Sequence, residues 1–240
     1  MEAGVDYGED YVNAMAARES DRRARQAFQE LVFRIAAPGQ CIFDFGAGPG
    51  LDAKLYAQHG LKVLAYDVDP RMCASFARRC GPEIQSGQIT LFQGTYPEFL
   101  RNQVPAIRRQ HGVDLVTANF APLSMIDDIS ELFGRFHELT APKAKVLASV
   151  LNPDFVGNLR YSWWWANRWR YWRHGSFYVK SKAANIYRRS VDDFAAHAAP
   201  HFTLTNVMRG LPRKAGAPVK SSSRLTLATS QFAFLLFSKQ

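Results

Sequence analysis

Long apolar runs are missing from this chain. None approaches the ~18–20 residues that cross a bilayer, and the opening residues Met1–Asp6 are acidic rather than apolar. Neither a membrane span nor a secretory leader is therefore expected. Cysteine is scarce. Cys41, Cys73 and Cys80 have no C-x-x-C spacing, and an odd count of three does not suit a disulfide framework. No metal centre is expected, and a cytoplasmic location follows as the default. Acids are absent from one long stretch, since none occurs between Phe155 and Val191. Residues 155–240 hold 14 Lys and Arg against two acids, a net +12, whereas residues 1–154 carry a net −3. The whole basic excess of a +9 chain thus lies in its last third. Such asymmetry speaks to partners rather than to fold.

At 240 residues the chain is long enough for one domain with a substantial core. Its organising stretch runs from Gln40 to Pro70. Residues 41–45 are a short apolar run suited to a buried strand. Gly46, Gly48 and Gly50 follow, residues that can take a tight positive-φ turn and let a ligand approach the backbone. Leu51–His59 has helical spacing and stops at Gly60. Lys62–Tyr66 is a second strand, closed by Asp67. This is a β-α-β unit with a glycine loop at a helix N-terminus and an acid at the next strand tip, where it can accept ribose hydroxyls. A dinucleotide fingerprint would read G-x-G-x-x-G. This loop reads G-x-G-x-G, with Asp44 two residues ahead.

Asp44-Phe45-Gly46-Ala47-Gly48-Pro49-Gly50 resembles motif I of the class I S-adenosylmethionine-dependent methyltransferases, D/E-x-G-x-G-x-G, at every fixed position. The resemblance implies a Rossmann-like α/β fold with a seven-stranded sheet, mostly parallel with an antiparallel last strand, and S-adenosylmethionine as cofactor. It further implies that the backbone of Gly46, Ala47, Gly48 and Gly50 holds the methionine end. Asp44 would fix the loop and amino group, Asp67 would take the ribose, and Val68 would flank the adenine. Many relatives have an acid at the tip of the third strand for the adenine amino group, where this chain offers Thr95. Asn119-Phe120 would line the methyl channel. Amino methyltransferases of nucleic-acid bases often carry Asn/Asp-Pro-Pro-aromatic there, which Asn119-Phe120-Ala121-Pro122 does not match.

The rest of the chain fits that alternation from Asp21 to Ser238. A helix is expected from Asp21 to Ala36, with Ala24, Phe28, Leu31, Val32 and Ile35 on one stripe. Asp69 and Pro70 start another. Further strands are expected at Ile89–Gln93, Gly112–Ala118 and Ala144–Leu151, with helices at Phe99–Gln110, broken or delayed by Pro105, and at Ile126–Leu139. Thr140–Lys143 reads as the turn before the fifth strand. Ser190 caps a helix over Val191–Ala199, and strands His201–Val207 and Gln231–Phe237 flank a polar, basic loop, Arg213–Thr229. The resemblance thus implies one methyltransferase domain over residues 1–240, with a helical segment at 1–39 and an insertion at 152–189.

That insertion holds all five tryptophans within ten residues, and across its length aromatic residues are interleaved with arginines and lysines, Lys182 among them. It is expected to form a lid over the methyl acceptor, with Tyr161, Trp164, Trp165, Trp169 and Arg170 facing the substrate. No general base announces itself. His174 is the first candidate, with Tyr161 and Tyr178 next, and an acceptor that is already an anion needs none. The acceptor expected is small, aromatic or lipid-like, and anionic or carried on an acidic protein. Tryptophan with arginine also suits an anionic membrane surface, and hence peripheral attachment. Aromatic and basic residues would equally suit single-stranded RNA, although nucleic acid is disfavoured because no binding module appears elsewhere. A non-catalytic nucleoside- or membrane-binding protein is the remaining class.

Overall fold

The computed structural model describes residues 7–108, 112–180, 185–210 and 221–240. Met1–Asp6, Gln110, Lys182 and the part of the Arg213–Thr229 loop up to residue 220 lie outside the described residues. Two helices come first, α1 (Tyr7–Ala16) and α2 (Glu19–Ile35). The apolar stripe of α2 is buried at Ala24, Ala27, Phe28, Leu31 and Val32. The β-α-β unit follows as β1 (Cys41–Phe45), α3 (Leu51–Gln58) and β2 (Lys62–Asp67). Next come α4 (Pro70–Arg79), α5 (Gly81–Gln85) and β3 (Ile89–Gln93). As expected of an N-cap, the Asp69 side chain accepts from the Arg71 N–H at 2.8 Å, with Pro70 at the first helical position.

Pro105 does not break the next helical segment. The chain runs from α6 (Tyr96–Glu98) through a π-helical turn at Phe99–Gln103 into α7 (Val104–Arg108). Pro105 there occupies the first turn of α7, and the wider π turn takes up the change in hydrogen bonding. β4 (Val113–Ala118) leads to a 3₁₀ turn at Pro122–Met125, then α8 (Ile129–Leu139). The helix begins later than its apolar pattern, because Asp128 caps it by accepting from the Glu131 N–H at 2.9 Å. β5 (Thr140–Leu151) begins earlier than expected. Thr140 already pairs with Val113, and the expected turn is instead an irregularity within the strand, with Lys143 at φ 64°.

After β5 a 3₁₀ turn at Val156–Arg160 enters α9 (Ser162–His174), and β6 (Ser176–Lys180) pairs antiparallel with β7 (Asn185–Arg189). Then come α10 (Val191–Ala198), capped by Ser190, β8 (Phe202–Arg209), α11 (Arg224–Leu227) and β9 (Phe232–Lys239). The main sheet has seven strands in the order β3-β2-β1-β4-β5-β9-β8. The first five run parallel, and β9 lies antiparallel to both β5 and β8. Alternating strand residues feed two cores. Phe43, Leu64 and Val116 face one with α8 and α10, whereas Ile42, Val63 and Leu115 face the other with α2 and α3. Covering a parallel sheet on both faces leaves its carboxyl edge as the place to bind. Among the described residues, no helix is long and apolar enough to cross a membrane.

Candidate active site

The carboxyl edges of β1, β2 and β4 bring Asp44, Asp67, Asn119 and Phe120 to one end of the sheet, beside the loop Gly46–Gly50. The loop is fastened mostly by its own backbone. Gly46 and Ala47 both donate to the Tyr66 carbonyl, at 2.9 and 3.0 Å. The Gly48 N–H donates to Asp67 Oδ2 at 2.8 Å, while Asp67 Oδ1 accepts from the Asp69 N–H at 2.9 Å. Asp67 therefore shapes the loop as well as ending its strand. Gly46 is demanded by its neighbour, since a Cβ there would lie 2.5 Å from Pro122 Cβ. Gly48 differs. It takes φ 56°, and a Cβ would meet nothing within 4 Å, so space is open above the loop. Val68, 57% exposed, stands bare beside Asp67.

Asp44 is buried, and its Oδ1 accepts from the Thr117 hydroxyl at 2.9 Å. Its Oδ2 has no partner among the described residues. Burial pushes its pKa up to about 7; the nearby Asp52 charge adds to the rise, and the Thr117 hydrogen bond and Arg25 oppose it. Asp67 is raised too, by burial first, against the hydrogen bonds from Asp69 and Gly48.

A second cluster surrounds Asp52. Asp52, buried in the first turn of α3, accepts from Arg25 Nη1 at 2.6 Å and Asn119 Nδ2 at 3.1 Å on one oxygen. Gln29 Nε2 reaches its other oxygen at 2.6 Å. Arg25 and Gln29 come from α2, four residues apart and hence on one helical face. One carboxylate thus ties the N-terminal helix, the helix after the glycine loop and the tip of β4. The Arg25 guanidinium also lies 4.7 Å from the Phe120 ring centroid. Phe120 and Ala121 both take positive φ, 58° and 64°, a strained arrangement for consecutive non-glycine residues. The Asn119 Oδ1, accepting from the Phe120 N–H at 2.9 Å, helps hold it. Only the acid in the first turn of α3 hints at this cluster in the sequence.

Thr95 also stands at this carboxyl edge, two residues beyond Gln93, which pairs with Asp67. It is exposed, and its N–H and hydroxyl both donate to Glu98 Oε2 at 2.8 Å. The remaining expected residues lie elsewhere. His174, the last residue of α9, and Tyr178, on β6, are exposed and belong to the α9–β6–β7 unit rather than to the strand tips. Of the five residues expected to face substrate, Trp164 is buried, its indole donating to the Pro153 carbonyl at 3.1 Å. Tyr161, Trp165, Trp169 and Arg170 are exposed. The unit touches the strand tips through β7, which packs on the 3₁₀ turn Pro122–Met125. Arg189 reinforces this contact by donating to the Asp127 carbonyl at 2.5 Å. Among the described residues, no group of three His, Cys, Asp or Glu is arranged to hold a metal ion.

A family model described as a methyltransferase domain matches residues 16–189. A comparison with curated proteins finds no match. Solved structures resemble the chain in fold. A TehB-like SAM-dependent methyltransferase from Corynebacterium glutamicum superposes with a TM-score of 0.63 at 14% identity, covering 98% of each chain. An S-adenosylmethionine-dependent methyltransferase from Mesorhizobium loti gives 0.58 at 16% identity, covering 90% of this chain and 97% of that one. The 1,6-didemethyltoxoflavin-N1-methyltransferase of Burkholderia thailandensis, solved with 1,6-didemethyltoxoflavin and S-adenosylhomocysteine, gives 0.59 at 17% identity, covering 98% and 88%.

Proposed function

Because the chain belongs to the class I S-adenosylmethionine-dependent methyltransferases, we propose that it methylates a small, anionic acceptor of aromatic or lipid-like character. It is an enzyme, and S-adenosylmethionine is its cofactor. That cofactor, when bound, supplies an electrophilic methyl group on a positively charged sulfur. The chain's residues then have to bind, orient and exclude water. The acid-rich strand tips suit such a cation. Asp44 has a free carboxylate oxygen, and Asp67, with one protein hydrogen bond on each oxygen, can accept more from a ribose. The open space above Gly48 leaves the loop accessible.

Arg188 supports an anionic acceptor. Arg189 is buried and Arg188 partly so, on the strand that packs against the turn following Phe120. Arg188 Nε has no hydrogen-bond partner among the described residues, whereas Arg189 already faces the Asp193 carboxylate at 3.7 Å. Arg188 also lies over the Trp163 ring, 4.6 Å from its centroid. A guanidinium N–H held away from water without an acceptor is costly, and an anionic group is its natural complement. Beside an indole, that favours a flat or extended apolar acceptor bearing a carboxylate or phosphate. The inward side of the insertion, with Trp163 and Arg188, would then cover the acceptor. His174 and Tyr178 face solvent, so the reading takes an acceptor already ionised at the reacting atom. The B. thailandensis protein, solved with 1,6-didemethyltoxoflavin, supports a small acceptor by likeness of fold.

The test is methyl transfer from labelled S-adenosylmethionine to a panel of aromatic and acyl carboxylic acids, free and carrier-bound, beside their neutral amides. Acids should be preferred. With the best acid, Arg188→Gln should raise KM by about 10–100-fold, the size of one hydrogen bond to a charged group, without changing the affinity for S-adenosylhomocysteine. Equal rates on acid and amide would sink the reading. Methylation of RNA alone, weakening steeply with salt, would move the acceptor to nucleic acid.

A further inference from the structure

α9 has two faces. Trp164 and Tyr171 lie on the inner one, where the Tyr171 hydroxyl donates to Asp154 at 2.8 Å and its ring meets Phe177 edge-on at 5.8 Å. On the outer one, Trp165, Trp169 and Trp172 recur at i, i+4 and i+7, the spacing of a single helical stripe. They are 62%, 66% and 72% exposed. Three indoles in water on one stripe are unusual for a folded protein, whose exposed apolar residues are normally scattered. At 3.6 residues per turn, Arg168 falls about 60° to one side of Trp165 and Arg173 about 80° to the other, and both are exposed. The preceding 3₁₀ turn extends the apolar strip with exposed Leu159, whose carbonyl accepts from the Trp165 indole at 2.8 Å.

We propose that this outer face of α9 docks on an anionic lipid surface, lying flat with its indoles at the headgroup level and its arginines among the phosphates. Charge complementarity favours that occupant, since no acid interrupts the chain between Phe155 and Val191. An apolar stripe with cations along both margins is the pattern of an interfacial helix. Ring geometry argues against single-stranded nucleic acid. The Trp169 and Trp172 rings contact each other, centroids 5.1 Å apart and tilted 40°, leaving no slot for a base between them. The aliphatic Leu159 in the same strip suits acyl chains better than bases. Docking by this face is independent of which acceptor is methylated.

The experiment is co-sedimentation of the full chain with vesicles of phosphatidylglycerol and phosphatidylcholine in equal parts, and with phosphatidylcholine alone. Partition should favour the anionic vesicles by about tenfold or more, weaken with salt and shift tryptophan emission to the blue. A W165A/W169A/W172A variant should lose about tenfold or more of that partition while keeping the thermal midpoint of the parent. R168Q/R173Q should lose the preference for anionic lipid. No partition at millimolar lipid, or partition the triple variant retains, overturns the inference. Tryptophan-dependent binding of a single-stranded oligonucleotide, or tryptophan-dependent self-association in sedimentation velocity, without vesicle binding, would also overturn it.

Discussion

Replacing Asp52 by Ala removes one acceptor from three donors at once. Arg25, Gln29 and Asn119 all converge on it within 3.1 Å. Breaking a buried ion pair from one side costs roughly 3–5 kcal/mol, because the surviving charge is left without compensation. Here the Arg25 side chain keeps 16% of its exposure and its place against the Phe120 ring, so it can recover some hydration. A loss of about 2–4 kcal/mol is therefore expected. Urea denaturation gives the total, but a double-mutant cycle with Arg25→Ala isolates the pair, with an expected coupling of about 1–2.5 kcal/mol. The same variant should weaken S-adenosylhomocysteine binding, because Asn119 and the strained Phe120 backbone lose an anchor. A coupling below about 0.5 kcal/mol with unchanged cofactor affinity would mean that the cluster is neither a cross-brace nor part of the site.

Asp67→Ala should weaken S-adenosylhomocysteine binding by about 1.5–3 kcal/mol in calorimetric titration, from lost hydrogen bonds to the ribose and to the Gly48 N–H. A loss under about 0.5 kcal/mol in folded protein would mean the ribose sits elsewhere. Asp44 gives a pH signature. Its pKa is about 7 in the folded chain against 3.8 as the unperturbed value. The folded state therefore holds the proton more tightly, and the stability it confers is fully present below about pH 4 and is lost as pH rises towards 7. Asp44→Asn should flatten that slope, by on the order of 2–4 kcal/mol across the window. Denaturation curves of parent and variant that shift in parallel from pH 4 to 8 would contradict it.

Much of this was legible because its signals are local. The strand Cys41–Phe45, the glycine loop, the cap at Asp69-Pro70 and the cap at Ser190 each depend on a few adjacent residues, and each forms as the sequence suggests. The Asp52 cluster could not be read in that way. Its partners lie 27, 23 and 67 residues away, and no periodicity links them. The β6–β7 hairpin was also hidden, since its strands are five residues each and mix apolar and basic side chains on both faces. The π turn at Phe99–Gln103 reflects competition, in which burial of Phe99, Val104 and Ile107 outweighed the proline's preference for a break. At Thr140–Lys143, pairing with Val113 outweighed the turn chemistry of Pro142.

The position of β9 sets the order in which the molecule can be assembled. β9 is the last in sequence of the seven strands of the main sheet, yet it sits between β5 and β8, and among the described residues β8 pairs with no other strand of that sheet. While the chain is being synthesised, β8 and one edge of β5 wait unpaired. β5 is rich in residues that end up buried, and its edge is open to partners from other chains. Phe232–Lys239 closes both at a stroke. Completion of the sheet is thus a late, long-range step, joining residues made far apart in time, and the half-finished chain is the form most exposed to aggregation.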